Sequence, residues 1–206
     1  MKSNKKTFIT KPYLPPLKKF LPLLEKIWES RELTNNGPFH KIFEEDLNIS
    51  TGCSNSNLVL NGTLGLYTAL NSIKKKGEVI TTPFTFIATP NAIISSGNIP
   101  RFCDIENDSY NLDPKEVEKN ITSDTVAILP VHCYGLPCDL DEFSRISKQY
   151  KIPLIYDAAH AFGVIHNRKS INTYGDISVS SFHATKVLNT FEGAKDSIKI
   201  LHLCGS

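Results

Sequence analysis

Three polar segments, each directly after an apolar run, carry the residue types from which a reactive site can be built. The last of them contains Lys186, five residues after Ser181. A lysine amine attacks carbonyl groups when burial lowers its pKa, and Schiff-base enzymes use this chemistry. A single lysine is nevertheless most often a solvated surface residue. Lys186 by itself therefore leaves both interpretations open.

The first segment, Asn61-Gly62-Thr63-Leu64, stands between an apolar run and a helical pattern. A glycine there lets the backbone approach a ligand. A helix N-terminus also offers unpaired N–H groups and the positive end of the helix dipole, which suits a phosphate. Thr63 serves equally well as an ordinary helix N-cap, and for the segment alone this is the commoner explanation.

The middle segment begins at Asp157 and continues through two alanines to His160. Small residues beside a carboxylate leave room for a flat ligand. The alternative is that Asp157 caps the next turn and His160 is an ordinary loop histidine. Taken together, a phosphate turn, a buried carboxylate and a later lysine are the parts that a pyridoxal phosphate enzyme needs. The lysine attaches the cofactor, and the carboxylate keeps the pyridine nitrogen protonated.

The elements that must position these segments alternate along the chain. After two amphipathic helical patterns near the N-terminus, short apolar runs alternate with further helical patterns. This alternation is typical of an α/β fold with a parallel sheet covered on both faces, whose ligand site lies at the carboxyl ends of the strands. Strands are predicted at 58–60, 78–82, 100–105, 126–131, 153–156 and 177–180, and helices at 17–28, 39–47, 63–73, 87–95, from 113, and at 139–150.

Composition and charge exclude several classes of protein. The 206 residues include 23 Lys and Arg against 21 Asp and Glu, a net charge of +2, which gives no electrostatic argument for a nucleic-acid partner. No apolar stretch approaches the roughly 20 residues of a membrane span. The five cysteines contain no Cys-x-x-Cys pair, which favours reduced, buried thiols over a zinc site. We expect a cytoplasmic protein with no metal, nucleic-acid or membrane partner.

Four motifs in order resemble the DegT/DnrJ/EryC1/StrS family of pyridoxal-phosphate-dependent sugar aminotransferases. They are Asn-Gly-Thr from Asn61, Thr-Pro-Phe-Thr-Phe-Ile-Ala-Thr from Thr82, Asp-Ala-Ala-His-Ala from Asp157, and Ser-Phe-His-Ala-Thr-Lys-Val-Leu-Asn-Thr-Phe-Glu-Gly from Ser181. The resemblance runs from about Lys11 to Gly193. It implies the large domain of aminotransferase fold type I, an α/β fold with a mostly parallel sheet.

The resemblance also implies a role for each matching position. Lys186 corresponds to the lysine that binds the cofactor covalently and then transfers protons, and Asp157 to the carboxylate on the ring nitrogen. His160 corresponds to a residue beside the ring's 3-hydroxyl, and Phe86 to an aromatic side chain stacked on the ring. For His183, packing and catalysis stay equally open. The positions that correspond to the phosphate-binding set are Gly62, Thr63, Leu64 and Ser181.

The family's activity sets the functional expectation. The resemblance implies transamination from an amino acid, usually L-glutamate, to a nucleotide-linked keto-6-deoxy sugar, in a homodimer. The sequence from Phe182 to Gly193 is most similar to that of family members that make dTDP-linked 4-amino-4,6-dideoxyglucose. This sugar is used for surface polysaccharide such as lipopolysaccharide O-antigen. The alternative is a catalytically inactive remnant that binds only a phosphate ligand or an intact partner subunit. The presence of Lys186 favours the enzyme.

After Gly193 the sequence departs from the family pattern. We expect an N-terminal helical segment at 1–36, a pyridoxal-phosphate-binding large domain at 37–193, and a tail at 194–206 that does not match. The family's small C-terminal domain has no counterpart, which predicts a truncation or frameshift near residue 193. Loss of that half predicts an exposed apolar surface and weak or no turnover.

Overall fold

The computed structural model describes residues 10–34 and 36–198 of the chain. Within these residues each predicted helix and strand is present, and three further strands occur that the sequence pattern did not predict. The helices are α1 (Leu17–Ser30), α2 (Pro38–Thr51), α3 (Gly62–Asn71), α4 (Ala88–Ser95), α5 (Pro114–Asn120) and α6 (Leu140–Tyr150). The strands are β1 (Ser56–Val59), β2 (Glu78–Thr81), β3 (Ile99–Phe102), β4 (Thr125–Leu129), β5 (Ile155–Asp157), β6 (Ile165–His166), β7 (Lys169–Ser170), β8 (Ile177–Ser181) and β9 (Ala194–Ile198).

Seven of these strands lie side by side in the order β1-β9-β8-β5-β4-β2-β3. Two hydrogen-bonded groups, β1-β9-β8-β5 and β3-β2-β4, meet where isolated parallel bridges join Ile128 to Leu154 and Val131 to Asp157. The β2–β3, β2–β4 and β5–β8 pairs are parallel, whereas β9 is antiparallel to both β1 and β8. The expected α/β fold with a mostly parallel sheet is confirmed.

Apolar side chains cover both faces of this sheet. In β4, Ile128 points into one core with Phe143 of α6, and its neighbours Ala127 and Leu129 point into a second core with Leu70 of α3. Successive strand residues face opposite sides, so a strand buried on both faces must be apolar throughout. This explains why the central strands appear in the sequence as continuous apolar runs.

Helix ends follow the local chemistry of the sequence. Asp113 caps α5 by accepting a hydrogen bond from Lys115 N–H, and Pro114 occupies the first helical position, where its missing N–H costs nothing. Asp139 likewise caps α6. Each cap fixes where a helix leaves the sheet, and thereby the loops that precede it.

Helix α1 presents its apolar side to solvent. None of its residues is buried, and Trp28 is 73% exposed. Its Phe20 ring contacts Phe191 edge to face at 6.5 Å. Pro22 lies inside the helix, which begins at Leu17 as the spacing predicts. The described part of the chain contains no helix that is both long and apolar enough to cross a membrane.

Strand β9 is polar although it lies inside the sheet. Lys195, Asp196 and Ser197 are all buried. The Lys195 ammonium donates to Leu47 O at 3.2 Å and to Thr51 Oγ1 at 2.8 Å, at the end of α2. Within the described residues, Asp196 Oδ1 has no hydrogen-bond partner, and neither has the Ser197 hydroxyl. Residues 194–198 thus belong to the main sheet, and the domain boundary at residue 193 stays a prediction.

The thiols of Cys103, Cys133 and Cys138 are buried, Cys53 is half-buried, and all four are free. Burial raises the pKa of Cys103 to about 11, so this thiol stays protonated. Cys204 lies outside the described residues. Among the described residues, no group of three or more His, Cys, Asp or Glu side chains could hold a metal ion.

Candidate active site

A cavity of about 490 Å³ opens at the carboxyl ends of β1, β2, β5 and β8. Seven of the eight residues predicted for the site line it. The exception is Leu64, whose N–H donates to the Asn61 side chain at 3.0 Å as part of the α3 cap and whose side chain does not reach the cavity. The seven lining residues are Gly62, Thr63, Phe86, Asp157, His160, Ser181 and Lys186.

The N-terminus of α3 forms one wall of the cavity. Its first intrahelical hydrogen bond runs from Gly65 N–H to Asn61 O at 2.9 Å, so the N–H groups of Gly62 and Thr63 precede the helical ladder. Ser181, at the end of β8, lies opposite. Backbone N–H groups, the helix dipole and a hydroxyl thus face one space, as an anion such as phosphate requires.

Replacing Gly62 by alanine is expected to weaken the binding of a phosphate-bearing ligand about tenfold. The added methyl group would lie 3.3 Å from Ser181 Cβ and occupy space between the helix end and the hydroxyl. Titration with pyridoxal phosphate, followed by absorbance, measures the effect. Gly37→Ala is the matched control, because its methyl group meets only ordinary contacts at 3.5 Å and its φ is −59°. Equal affinities for both variants would contradict the assignment of this wall to phosphate.

Asp157 ends β5 and is buried at the floor of the cavity. Its Oδ2 accepts a hydrogen bond from the Thr89 hydroxyl at 2.8 Å, and its Oδ1 accepts one from Ala159 N–H at 3.1 Å. Because Thr89 donates to Asp157, its oxygen is free to accept from the Thr85 hydroxyl at 2.8 Å. Burial raises the pKa of Asp157, while the two hydrogen bonds and the nearby Lys186 oppose the rise. These contacts fix a carboxylate where it can pair with a cationic ring nitrogen.

Backbone hydrogen bonds hold the end of β5 in place. Asp157 N–H donates to Pro130 O at 2.9 Å, and Asp157 O accepts from His132 N–H at 3.0 Å. On the other side of the strand, Ala158 N–H donates to Val179 O at 2.8 Å. The carboxylate is therefore carried by a strand that is paired on both sides, which is a rigid support for a catalytic group.

Thr89→Val is expected to lower the rate of any reaction that depends on the Asp157 carboxylate by about tenfold. The isosteric change removes one hydrogen bond to a buried charge, and the pKa of Asp157 rises further. Thr89→Ser keeps the hydroxyl and is expected to retain most of the rate. Turnover and the pH dependence of the bound cofactor's absorbance measure both variants. A Val variant that keeps the parent rate, or a Ser variant slower than the Val variant, would contradict a role for this hydrogen bond.

Lys186 lies half-buried in the cavity wall. Burial lowers the pKa of its amine, and the charge of Asp157 partly offsets that effect. A lower pKa leaves more of the amine uncharged near neutral pH, which is the form that attacks a carbonyl carbon. The sequence prediction of a reactive lysine at this position therefore agrees with its surroundings.

Aromatic rings surround the mouth of the cavity. His160 lies at the rim, where partial burial and the positive charge of Lys186 lower its pKa. Its ring stacks on Tyr134 at 6.2 Å, and Tyr134 adopts a left-handed backbone with φ of 52°. Phe86, 73% exposed, forms another part of the mouth. A second space of about 330 Å³ shares His160 and Lys186 and extends past Phe162.

Sequence reasoning missed several residues that the structure brings to the cavity. Thr89 lies within a quoted motif but is separated from Asp157 by 68 positions, so no local pattern joins them. Polar residues in the otherwise apolar run from Thr82 to Thr89 were the available signal. The other residues that line the cavity without having been predicted include Asn61, Thr85, Ala159, Thr185 and Glu192.

Comparison with known proteins identifies the family of the chain. The family model described as the DegT/DnrJ/EryC1/StrS aminotransferase family matches residues 17–194. The chain belongs to this family. It is 49% identical to the dTDP-4-amino-4,6-dideoxy-D-glucose transaminase of Shigella dysenteriae over 190 residues. This alignment covers 92% of the chain and 52% of that protein. The Escherichia coli enzyme of the same name is 52% identical over 162 residues, or 78% of the chain and 44% of that protein.

Solved structures share the fold of the chain. The structure of DesI in the presence of its TDP-sugar product matches with a TM-score of 0.91 and 34% identity, over 95% of the chain and 50% of DesI. The chain therefore spans about half the length of the curated relatives and solved structures that it matches.

Pyridoxal phosphate is the cofactor of this aminotransferase family, and the residues of the cavity fit it. The N-terminus of α3 and the Ser181 hydroxyl would hold the phosphate, and the buried Asp157 would pair with the ring nitrogen. The Lys186 amine, with its lowered pKa, would attach to the aldehyde carbon. His160 and Phe86 would flank the ring from the mouth.

Proposed function

We propose that this chain carries the cofactor site of an aminotransferase that acts on a nucleotide-linked keto-6-deoxy sugar. The observation that supports the proposal best is one cavity that combines an amine of lowered pKa, a buried and hydrogen-bonded carboxylate, and a helix N-terminus. No one of these features would be specific. Together they match the three chemical groups of pyridoxal phosphate: aldehyde, ring nitrogen and phosphate.

Each residue has a distinct task in this reaction. When bound, pyridoxal phosphate supplies the electron sink that stabilises negative charge on the amino-acid α-carbon. Lys186 would hold the cofactor through its amine, and as a free amine it would carry the proton taken from the α-carbon of the donor. The Asp157 carboxylate keeps the ring nitrogen protonated, and its burial strengthens that pairing. The α3 N-terminus and Ser181 would hold the phosphate.

The proposed donor is L-glutamate, and the proposed acceptor is a dTDP-linked 4-keto-6-deoxyglucose. The printed names of the Shigella dysenteriae and Escherichia coli relatives support the 4-amino product, with 49% and 52% identity. We propose surface polysaccharide such as O-antigen as the destination and the cytoplasm as the compartment, in agreement with the free thiols. A homodimer is proposed as the assembly, and the exposed apolar side of α1 offers surface for it.

The test separates the two halves of the reaction. The purified chain is loaded with pyridoxal phosphate and mixed with L-glutamate, and 2-oxoglutarate and the cofactor's absorbance are followed. A dTDP-linked 4-keto-6-deoxyglucose is then added, with the 3-keto isomer as the matched acceptor. We expect 2-oxoglutarate in the first step and a 4-amino sugar in the second. Amination of the 3-keto isomer alone would overturn the proposed substrate, and loading without 2-oxoglutarate would overturn the proposed activity.

A second candidate function is binding without turnover. One observation favours it: β9 carries buried polar side chains inside the sheet. Such a chain would hold a phosphate ligand or associate with an intact partner subunit. Cofactor binding without 2-oxoglutarate in the experiment above is the result that this candidate predicts.

A further inference from the structure

One histidine links the two ends of the turn that separates Ser181 from Lys186. The backbone N–H of His183 donates to Ser181 Oγ at 3.4 Å, and its carbonyl oxygen accepts from Lys186 N–H at 2.9 Å. Its ring Nδ1 accepts from Thr185 N–H at 3.3 Å and lies 2.9 Å from Thr185 Oγ1. Backbone and side chain of His183 therefore hold the same short turn.

These hydrogen bonds decide which ring nitrogen of His183 carries the proton. A backbone N–H can only donate, so the Nδ1 atom that it reaches must accept, and in the neutral ring the proton lies on Nε2. Nε2 in turn lies 3.9 Å from a carboxylate oxygen of Glu192, which also lines the cavity. The two nitrogens thus have separate partners, and each can be tested separately.

We propose that His183 is a positioning residue whose Nδ1 holds the turn that sets the Lys186 amine relative to the Ser181 hydroxyl. The inference rests on the proposed function, in which the lysine and the hydroxyl serve the aldehyde and the phosphate of one cofactor. Those two groups belong to one small ligand, so their separation is confined to a narrow range. A turn that fluctuates would present the amine and the hydroxyl at varying separations. Ordering the turn on binding would then make the binding free energy of the cofactor less favourable.

Three substitutions distinguish the two ring nitrogens. His183→Asn places a side-chain oxygen near the position of Nδ1, where it can accept the Thr185 N–H in an Asx turn, but it has nothing at Nε2. His183→Gln reaches toward the Nε2 position and leaves the Nδ1 position empty. His183→Ala removes both. The cofactor-free chain is measured by amide hydrogen exchange at Thr185 and Lys186, and the dissociation constant for pyridoxal phosphate is measured by absorbance titration.

We expect the Ala and Gln variants to lose amide protection at Thr185 and Lys186 and to bind pyridoxal phosphate about fivefold more weakly. The Asn variant is expected to retain the protection and to bind within about twofold of the parent. Amides of α6, which is remote from the turn, report whether each variant is still folded.

Unchanged protection in the Ala variant would overturn the proposal, and so would rescue by Gln but not by Asn, which would assign the role to Nε2 and Glu192. Failure of the parent chain to bind pyridoxal phosphate would count against the proposed function. The exchange measurement on the cofactor-free chain would still decide whether Nδ1 holds the turn.

Discussion

Replacing Lys186 by alanine is expected to abolish covalent attachment of pyridoxal phosphate and to lower any transamination rate by at least about 10³-fold. In the proposed function the amine is both the group that attaches and the base that moves the proton, and no other lysine lines the cavity within the described residues. Borohydride reduction followed by mass spectrometry measures attachment at residue 186, and release of 2-oxoglutarate measures turnover.

Two further lysine variants make this result specific. Lys186→Arg keeps the positive charge but provides no amine that can attack a carbonyl group, so it is expected to fail as the alanine variant does. Lys148→Ala removes an exposed lysine of α6 and is expected to behave as the parent. Attachment that persists in the Lys186→Ala chain would refute the assignment of this residue.

The pH dependence of attachment follows from the lowered pKa of Lys186. Only the uncharged amine attacks the aldehyde, so the rate of attachment rises with pH and levels off above the pKa of the amine. Because burial lowers that pKa, the rate is expected to level off at a lower pH than with an exposed lysine. A free lysine derivative measured under the same conditions is the reference.

Asp196→Val is expected to make the chain more stable at neutral and higher pH, by on the order of 4 kcal/mol at pH 8. Asp196 is buried in β9 between β1 and β8, and within the described residues its Oδ1 has no partner. Burial raises its pKa from 3.8 to about 7, so ionisation inside the fold is costly. Chemical unfolding at several pH values measures the difference.

The sign of the pH effect follows from proton linkage. The unfolded carboxyl ionises near pH 3.8 and the folded one near 7, so between these values the folded state binds more protons. Its contribution to stability is therefore lost as the pH rises from about 4 to about 7. Asp196→Asn removes the titration but keeps a buried polar group, and is expected to flatten the pH dependence without reaching the stability of the valine variant. The quantity to compare is the difference in free energy of unfolding between the parent chain and the Asn variant. If this difference is the same at pH 4.5 and at pH 8, a buried Asp196 whose Oδ1 has no partner would be refuted.

Much of the fold could be predicted because its signals are local. Apolar runs such as Val126 to Val131 show strands that are buried on both faces, and the Asp113-Pro114 pair predicts a helix start. Strand β9 was not among the predicted strands, and residues 194–206 were expected to form a tail that does not match the family. Its polar residues Lys195 to Ser197 resemble a surface segment, and only pairing with both β1 and β8 defines its position.

The candidate site shows the same division between local and distant information. Asp157 and Lys186 could be predicted because Asp157 lies at the end of an apolar strand and Lys186 lies in the short segment after β8. The hydrogen bond from Thr89 to Asp157 could not, since it joins the start of α4 to the end of β5. Leu64 illustrates the opposite case. Its position in the motif suggested a phosphate contact, but the Asn61 cap takes up its N–H.

The place of β9 has a consequence for how the chain is synthesised. It is the last described strand, yet it fills the gap between the first strand, β1, and β8. During translation β1 emerges early. Its edge that pairs with β9 remains unpaired until residues 194–198 leave the ribosome. Open edges are sites where strands of other molecules add on. Slow entry of β9 into the gap is therefore expected to lower the yield of native chain in a cell, and a chaperone that shields the edge of β1 is expected to raise that yield.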